Sequence, residues 1–348
     1  MGLILSVASS LIISTNLLVA VALLRLLHKK SSQSWCFVLN LALADTLVGV
    51  AITGLATEDL HSNVTSSTSF HHPATNVTCP SPSSSPGKTR CLMRMAFVMS
   101  PCTASILSMF LISLDRYAAI KAPLSYSRLS GKGTAAASLA ALWACSNLMG
   151  FLPVMVRQLQ SDGYSGLCAF FSVIYPAGII VLFSVCFFPV LSVFVYIYMD
   201  ILKIACSHQR QIFQISQAGS RTINNHNHNN SSGSSSGPRG RQYPPQQARS
   251  HYWSHVKALR TVALLVGCFL TLWCPFFVVS IVQLLCDSCE LIVLLENHLW
   301  LLGMSNSLIN PLVYACWQRE VRTQIAEMFA CCAGRRSPAG PVMEAWDL

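Results

Sequence analysis

Seven stretches of twenty or more mainly apolar residues dominate the chain: Leu3–Leu27, Cys36–Ala56, Leu92–Leu114, Ala135–Val154, Val173–Ile201, Val256–Leu285 and Leu291–Cys316. A helix of roughly 20 apolar residues crosses the hydrocarbon core of a bilayer. In lipid the backbone must satisfy its own hydrogen bonds, which leaves helices or closed barrels. The expected fold is therefore an all-α membrane bundle of seven helices. Composition agrees, with 10% charged and 53% hydrophobic residues, where a soluble domain carries about 25% charged. A soluble enzyme and a disordered chain are both excluded on that ground. The net charge of +10 would point to nucleic acid in a soluble protein. Here it belongs to the connectors, and no nucleic-acid partner is expected. No internal repeat of the transporter kind is present.

Orientation follows from the basic residues, which gather on the cytoplasmic side. Of the 23 Lys and Arg residues, only Lys88, Arg90, Arg94 and Arg157 fall in connectors two, four and six or their flanks. The N-terminus is then outside and the C-terminus inside, in a multi-pass plasma-membrane protein. Asn63-Val64-Thr65 and Asn76-Val77-Thr78 are glycosylation acceptors in a connector assigned outside. Cys79, Cys91, Cys168, Cys286 and Cys289 lie on the same side, where disulfides form. A bridge from Cys91 to Cys168 would pin the loop before the fifth span over the bundle. Cys286 and Cys289 are spaced to clip a short loop, and Cys79 is left without an assignment.

Polar groups inside spans are costly and mark function or helix contacts. In the third span Val98, Cys102, Ser105, Met109, Ile112 and Arg116 recur at helical spacing on one face. In the seventh, Glu296, Trp300, Gly303, Ser307, Asn310 and Tyr314 do the same. Asn16 and Asn40 suit hydrogen bonds between helices. Asp45 demands more, because a buried anion needs a cation or a proton.

These residues carry a resemblance. Asp115-Arg116-Tyr117 ends the third span, Asn310-Pro311-Leu312-Val313-Tyr314 ends the seventh, and Trp273-Cys274-Pro275 sits in the sixth. Trp143, Asn16 and Asp45 mark the fourth, first and second spans, and Cys91 precedes Arg116 by 25 residues. Together, in order and each at its proper end, they resemble the rhodopsin-like (class A) G-protein-coupled receptors over essentially the whole chain. Leu92–Val98, Lys257–Val262 and Leu299–Gly303 resemble a branch that senses fatty-acid amides and lysophospholipids and couples to the stimulatory G protein.

The resemblance implies roles. Asp45, Ser105, Asn306, Ser307 and Asn310 match the family's sodium pocket, and a carboxylate with hydroxyl and amide oxygens suits a hard cation. The competing reading is a hydrated network around protonated Asp45. Pro189, Ile106 and Phe269 match a packing switch beneath the ligand. Pro275 removes a backbone donor and kinks the sixth helix into a lever. Asp115, Arg116 and Tyr117 form the G-protein contact, with Asn310, Pro311 and Tyr314 in the activation path. The chain departs from the family at His255, where an acid often locks Arg116. It also has Ile197 for a tyrosine and Leu272 for a cysteine. A weakened lock narrows the gap between resting and active states, so signalling without ligand is expected.

The ligand site is expected along Arg94, Val98, Met99, Cys102, Phe170, Phe171, Trp273, Phe277, Glu296 and Trp300. Val98 stands where amine receptors carry an aspartate. The aromatic cavity suits an acyl chain, and Arg94 and Glu296 suit a polar head group. A stimulatory G protein raising cyclic AMP is the expected partner, with arrestin and receptor kinases implied by the family. The alternative is a class A receptor for a peptide or other small molecule, coupled differently.

Three segments remain. Residues 209–249 are low-complexity Asn/His, Ser/Gly and Pro/Gln sequence, expected to be disordered. Residues 317–330 form an amphipathic surface helix with Val321, Ile325, Met328 and Phe329 on one side. Cys331 and Cys332 open the cytoplasmic tail, 331–348, as candidate palmitoylation sites. An enzyme is not expected: no span carries a His/Asp metal cluster or a nucleophile elbow. A light-driven pump or an opsin would need a lysine in the last span, which has none.

Overall fold

The structure, a computed structural model, describes residues 2–29, 32–68, 86–163, 246–286 and 288–332, together with 168, 170–178, 180, 184, 187–200, 203, 207 and 210. The helices run in the order α1 (Gly2–Lys29), α2 (Gln33–Thr68), α3 (Pro86–Lys121), the short α4 (Pro123–Leu129) and α5 (Lys132–Met155). The single turn α6 (Phe170–Val173), α7 (Phe187–Asp200) and α8 (Gln246–Leu285) follow. The last span is built from α9 (Ile292–Leu294), a π turn over Leu295–Leu299, α10 (Trp300–Met304) and α11 (Asn306–Trp317). The helix α12 (Arg319–Cys332) ends the described chain. Among the described residues the β-structure is one isolated bridge, Gln160 to Ile174.

Among the described residues five helical stretches are long and apolar enough to cross a membrane: Gly2–Lys29, Gln33–Gly54, Gly87–Lys121, Lys132–Met155 and Ala263–Leu285. Of the fifth expected span, Val173 belongs to α6, and the described positions 176–178, 180, 184 and 187–200 are all helical. The seventh expected span differs from a single regular helix. It is irregular at Ser305, where i→i−3 bonds join the i→i−4 ones: Ser305 N–H is shared between Leu301 O (3.0 Å) and Leu302 O (3.2 Å), and Ser305 O accepts from Leu308 N–H (3.0 Å) and Ile309 N–H (3.1 Å). Pro311 adds to the irregularity, since it cannot donate to the carbonyl of Ser307. Asn16 on α1 replaces that bond, its Nδ2 donating to Ser307 O at 2.9 Å.

The bundle is turned outward relative to a soluble protein. Leu3, Val7, Leu11, Leu17 and Val21 on α1 and Leu43, Leu47 and Val50 on α2 are exposed at helical spacing. Such a continuous apolar surface fits lipid rather than water. Inside, small residues and hydrogen bonds join the helices. A Cβ on Gly49 would lie 2.7 Å from Ile13 Cγ1, and one on Gly150 only 2.7 Å from the backbone N of Ser100. Ser9 and Thr53 share a hydrogen bond (2.9 Å), and Ser100 donates to Asn147 Oδ1 (2.6 Å). Asn40 links three helices, donating to Ser108 Oγ (2.8 Å) and accepting from Trp143 Nε1 (2.9 Å).

At one end of the bundle, disulfides join Cys91 to Cys168 and Cys286 to Cys289. The loop carrying Cys168 folds back on itself. Ser161 N–H donates to Val173 O and Tyr175 N–H to Leu159 O. At the other end, Val321 of α12 is fully buried and Ile325 and Met328 pack on the core. Phe329 departs from the expected apolar side and is 61% exposed. The inner stripe of α12 is completed by Gln324, whose Oε1 accepts from Lys29 Nζ at 3.2 Å.

The segment 209–249, expected to be disordered, is helical at 246–249, since α8 begins at Gln246. Of the rest, Arg210 is also helical and the other positions lie outside the described residues. So do Asn76, Cys79 and the tail from residue 333 onward. Asn63 falls within α2, which outruns the expected span end; its side chain, like those of His255, Cys331 and Cys332, is outside the described set.

Candidate functional site

A cavity opens between α3, α5, α7, α8 and α10, with about 630 Å³ of empty space, its mouth included. Met99, Cys102, Phe170, Trp273, Phe277 and Trp300 line it, as does Ile106. Helical spacing of α3 brings Met99, Cys102 and Ile106 to one side. Phe170 is buried and stacks on Trp300 at 5.6 Å and 24°. Phe187 stacks on Phe277 at 3.6 Å, and Trp273 meets Trp300 edge to face at 6.3 Å. Gly303 lies flat against the Trp273 ring, where an added Cβ would be 2.8 Å from Cε3.

The other four expected ligand residues sit off these walls. Val98 is buried toward Ile12, Val48 and Ile52. Phe171 is buried beside Phe170, edge to face at 5.1 Å. Its N–H donates to Glu296 Oε1 at 2.7 Å. Glu296 therefore tethers the loop over the cavity. Arg94 is half-buried, more than a helical turn from Met99 toward the disulfide end. Conversely, Thr103, Leu107, Met149, Phe187, Val190 and Phe276 line the cavity without having been expected to. Phe276 and Phe187 carried an aromatic signal in the sequence. Leu107, Met149 and Val190 are ordinary apolar span residues, and Thr103 a hydroxyl bonded within its own helix, whose direction only the packing reveals.

Beneath the cavity lies a polar core. Asp45 is fully buried. Its Oδ1 accepts from Ser105 Oγ (2.7 Å) and Ser307 Oγ (2.8 Å), and its Oδ2 from Asn310 Nδ2 (2.8 Å). α2, α3 and α11 are thus joined at one carboxylate. These donors are all neutral, so they leave its charge uncompensated. Two buried acceptors nearby in sequence, Asn306 Oδ1 and Asn310 Oδ1, find no partner among the described residues, while Asn306 Nδ2 rests 3.8 Å from Met109 Sδ. A buried anion with unsatisfied amide oxygens is the donor set a hard cation takes. Trp273 Nε1 above and Tyr314 Oη below are also buried without partners.

Between the two regions, Phe269 is completely buried. It contacts Phe187 (5.7 Å) and Phe194 (5.5 Å). Pro189, expected beside it, is on the exposed side of α7, and these two phenylalanines hold the place against Phe269. Pro275 lies within α8 and Pro311 within α11.

At the end opposite the disulfides, Asp115 holds Arg116 through Oδ2, at 2.6 Å from Nη2 and 3.1 Å from Nε. Asp115 also accepts from Ser34 Oγ (2.6 Å), Gln33 Nε2 (3.1 Å) and Tyr126 Oη (2.9 Å). The start of α2 and the short α4 are therefore organised by the same carboxylate. Tyr117 Oη donates to Asp200 Oδ2 (2.8 Å), and Lys121 Nζ pairs with that oxygen at 2.6 Å. Asp200, which ties α3 to α7, was not anticipated. An acid at the end of an apolar run was its only signal.

The profile of the 7 transmembrane receptor (rhodopsin family) matches residues 15–314. The human glucose-dependent insulinotropic receptor is 44% identical over 94% of this chain and 85% of its own length. Its rat counterpart is 42% identical over 94% of this chain and 61% of its own. The mouse 5-hydroxytryptamine receptor 6 is 30% identical over 73% of this chain and 58% of its own. Its relatives are receptors and not enzymes, and the family consists of multi-pass membrane proteins that take a ligand and couple to G proteins. With an intramembrane cavity, a carboxylate-centred core and an Arg116 end in the family's order, the chain belongs to the rhodopsin-like family of G-protein-coupled receptors.

Proposed function

We propose that this receptor binds a lipid amphiphile of the fatty-acid amide or lysophospholipid type and activates a stimulatory G protein, raising cyclic AMP. The observation that carries the reading is the cavity itself, walled almost wholly by apolar and aromatic groups. Burying an acyl chain there contributes about 0.8 kcal/mol per methylene. Amine-type ligands are disfavoured, because the described residues that line the cavity include no acidic side chain to serve as counter-ion. The N-terminus faces outside and Arg116 faces the cytoplasm, in keeping with the distribution of Lys and Arg.

The mechanism is allosteric. A ligand favours the active bundle only by binding it better than the resting one. Pressure on Trp273 passes to Phe269 and the aromatic cluster, and α8 pivots at Pro275. Arg116 is then drawn from Asp115 toward the G protein. Asp45, Ser105, Asn306, Ser307 and Asn310 would hold a sodium ion, which would neutralise Asp45 and favour the resting state. Asn63 and Asn76 are glycosylated, Cys331 and Cys332 are palmitoylated, and arrestin and receptor kinases act at the cytoplasmic face.

Cyclic AMP in cells expressing the receptor, challenged with lipid amides, lysophospholipids, amines and peptides, tests the reading. A response confined to the lipids supports it; a response confined to peptides or amines overturns it.

A further inference from the structure

Exposed polar side chains in the spans turn back on their own helices. Ser10 and Ser14 on α1, Ser192 on α7 and Thr271 on α8 each donate to the carbonyl four residues earlier. Asn147 on α5 does not. It is exposed, and its Oδ1 accepts from Ser100 Oγ on α3 at 2.6 Å. Gly150, pressed against the Ser100 backbone, fixes that approach. The NH2 arm of the amide is turned away from Ser100, and Nδ2 finds no acceptor among the described residues.

Neither bulk water nor a lipid head group reaches this amide. Asn147 is the sixteenth of the 24 residues of α5, roughly 5 Å past the midpoint at 1.5 Å per residue. The hydrocarbon extends about 15 Å to either side of the bilayer centre. Two idle donors at that depth are costly. Their partner has to be a membrane-embedded group with an acceptor at the same height.

A second copy of this chain carries that acceptor at the matching depth and in the matching orientation. Asn147 Oδ1 keeps a lone pair beyond its bond to Ser100. Two such amides, related by a two-fold axis along the membrane normal, can each donate to the other's oxygen, an isologous contact that closes on itself. The surface beside the amide permits the approach. Gly133, Ala137, Ala140 and Ala144 lead up to Asn147 at alternating intervals of four and three, and all are exposed. Small residues let two helix backbones come close, and an added Cβ on Gly133 would meet nothing within 4 Å. Toward the disulfide end the exposed residues are bulky, Leu148 and Met155. The two helices therefore converge on the Gly133 side and part beyond Asn147.

We propose that this face of α5 joins two copies of the receptor in the membrane, through a reciprocal pair of Asn147 amides.

The test reconstitutes the full chain, labelled with donor and acceptor dyes, in phosphatidylcholine vesicles and follows energy transfer as the receptor is diluted with lipid. Asn147→Leu should need about tenfold more receptor per lipid for the same transfer. Ala144→Phe, which crowds the small-residue face and leaves the Ser100 bond intact, should weaken association similarly. Leu17→Phe, on the exposed face of α1, should not. In a Cys145→Ser background, oxidation of Ala140→Cys should give a cross-linked dimer several-fold faster than oxidation of Leu17→Cys. Unchanged association in Asn147→Leu overturns the amide pair, even where Ala144→Phe is weakened. Cross-linking at position 140 no faster than at position 17 overturns the α5 contact. A wild-type chain that stays monomeric at every density overturns the proposal as a whole.

Discussion

At the scale of single residues, Asp45 and Glu296 show how far a side chain's role depends on its neighbours. The sequence marks Asp45 as an unusual intramembrane acid, and its three donors come from two other helices. If that cluster takes sodium, raising NaCl against choline chloride should raise the wild-type unfolding temperature and lower ligand-free signalling. Asp45→Asn should respond to neither, as read by thermal unfolding in detergent and by cyclic AMP. Glu296 was expected to grip a head group, and in the structure it accepts the Phe171 N–H. Glu296→Gln keeps an acceptor oxygen and should leave agonist potency near wild type. Glu296→Ala loses the tether and should weaken it, measured as a dose–response shift at matched surface level. A head-group role resting on charge would make both variants equally weak. No reading of a single span could separate these roles, because the partner of Glu296 is a backbone group 125 positions away.

Between elements, glycines and ion pairs set the spacing. Gly150→Val would drive carbon into the Ser100 backbone, which cannot give way as a side-chain tip would. Surface expression should fall sharply. Gly54 has nothing within 4 Å of an added Cβ; Gly54→Ala should be tolerated, with a gain of about 0.5–1 kcal/mol from helix propensity. At the Arg116 end, Asp200→Asn would weaken the hold on Tyr117 and Lys121 and loosen α7 from α3. Ligand-free nucleotide exchange should rise, measured with a purified G protein. The pair with Lys121 is partly exposed and screened by solvent, so the change should be modest. Much of this level was legible in advance. Apolar run length located most of the long helices, because a bilayer imposes that length. The break at Ser305 and the short α4 were not legible: neither α4 nor the turn at Ser305 spans the membrane, and local bonding alone decides them. The cavity was half legible. Aromatic residues announce themselves, whereas Leu107, Met149 and Val190 look like any lipid-facing residue until the helices are assembled.

For the whole molecule the question is how firmly the resting arrangement is held. Asp115 secures Arg116, and the described contacts of that carboxylate come from α2, α3 and α4. The sequence offers histidine, not an acid, at position 255 of α8. Cyclic AMP without added ligand should therefore exceed that of mock-transfected cells and scale with receptor number. His255→Glu should lower it toward the mock value. Equal cyclic AMP in receptor and mock cells at every expression level would remove the case for a loosely held bundle.

Asn16 and Ser307 belong to the first and last membrane segments, yet one amide closes the gap that Pro311 opens between them. The seventh span thus finishes its own backbone bonding only by meeting the first, made 291 positions earlier. Such a bundle cannot mature piecemeal: α1 must wait, partner unmade, until α11 has been synthesised. Loss of the Asn16 amide should then be felt in biogenesis, as protein held back before the cell surface, more than in the affinity of whatever receptor arrives there.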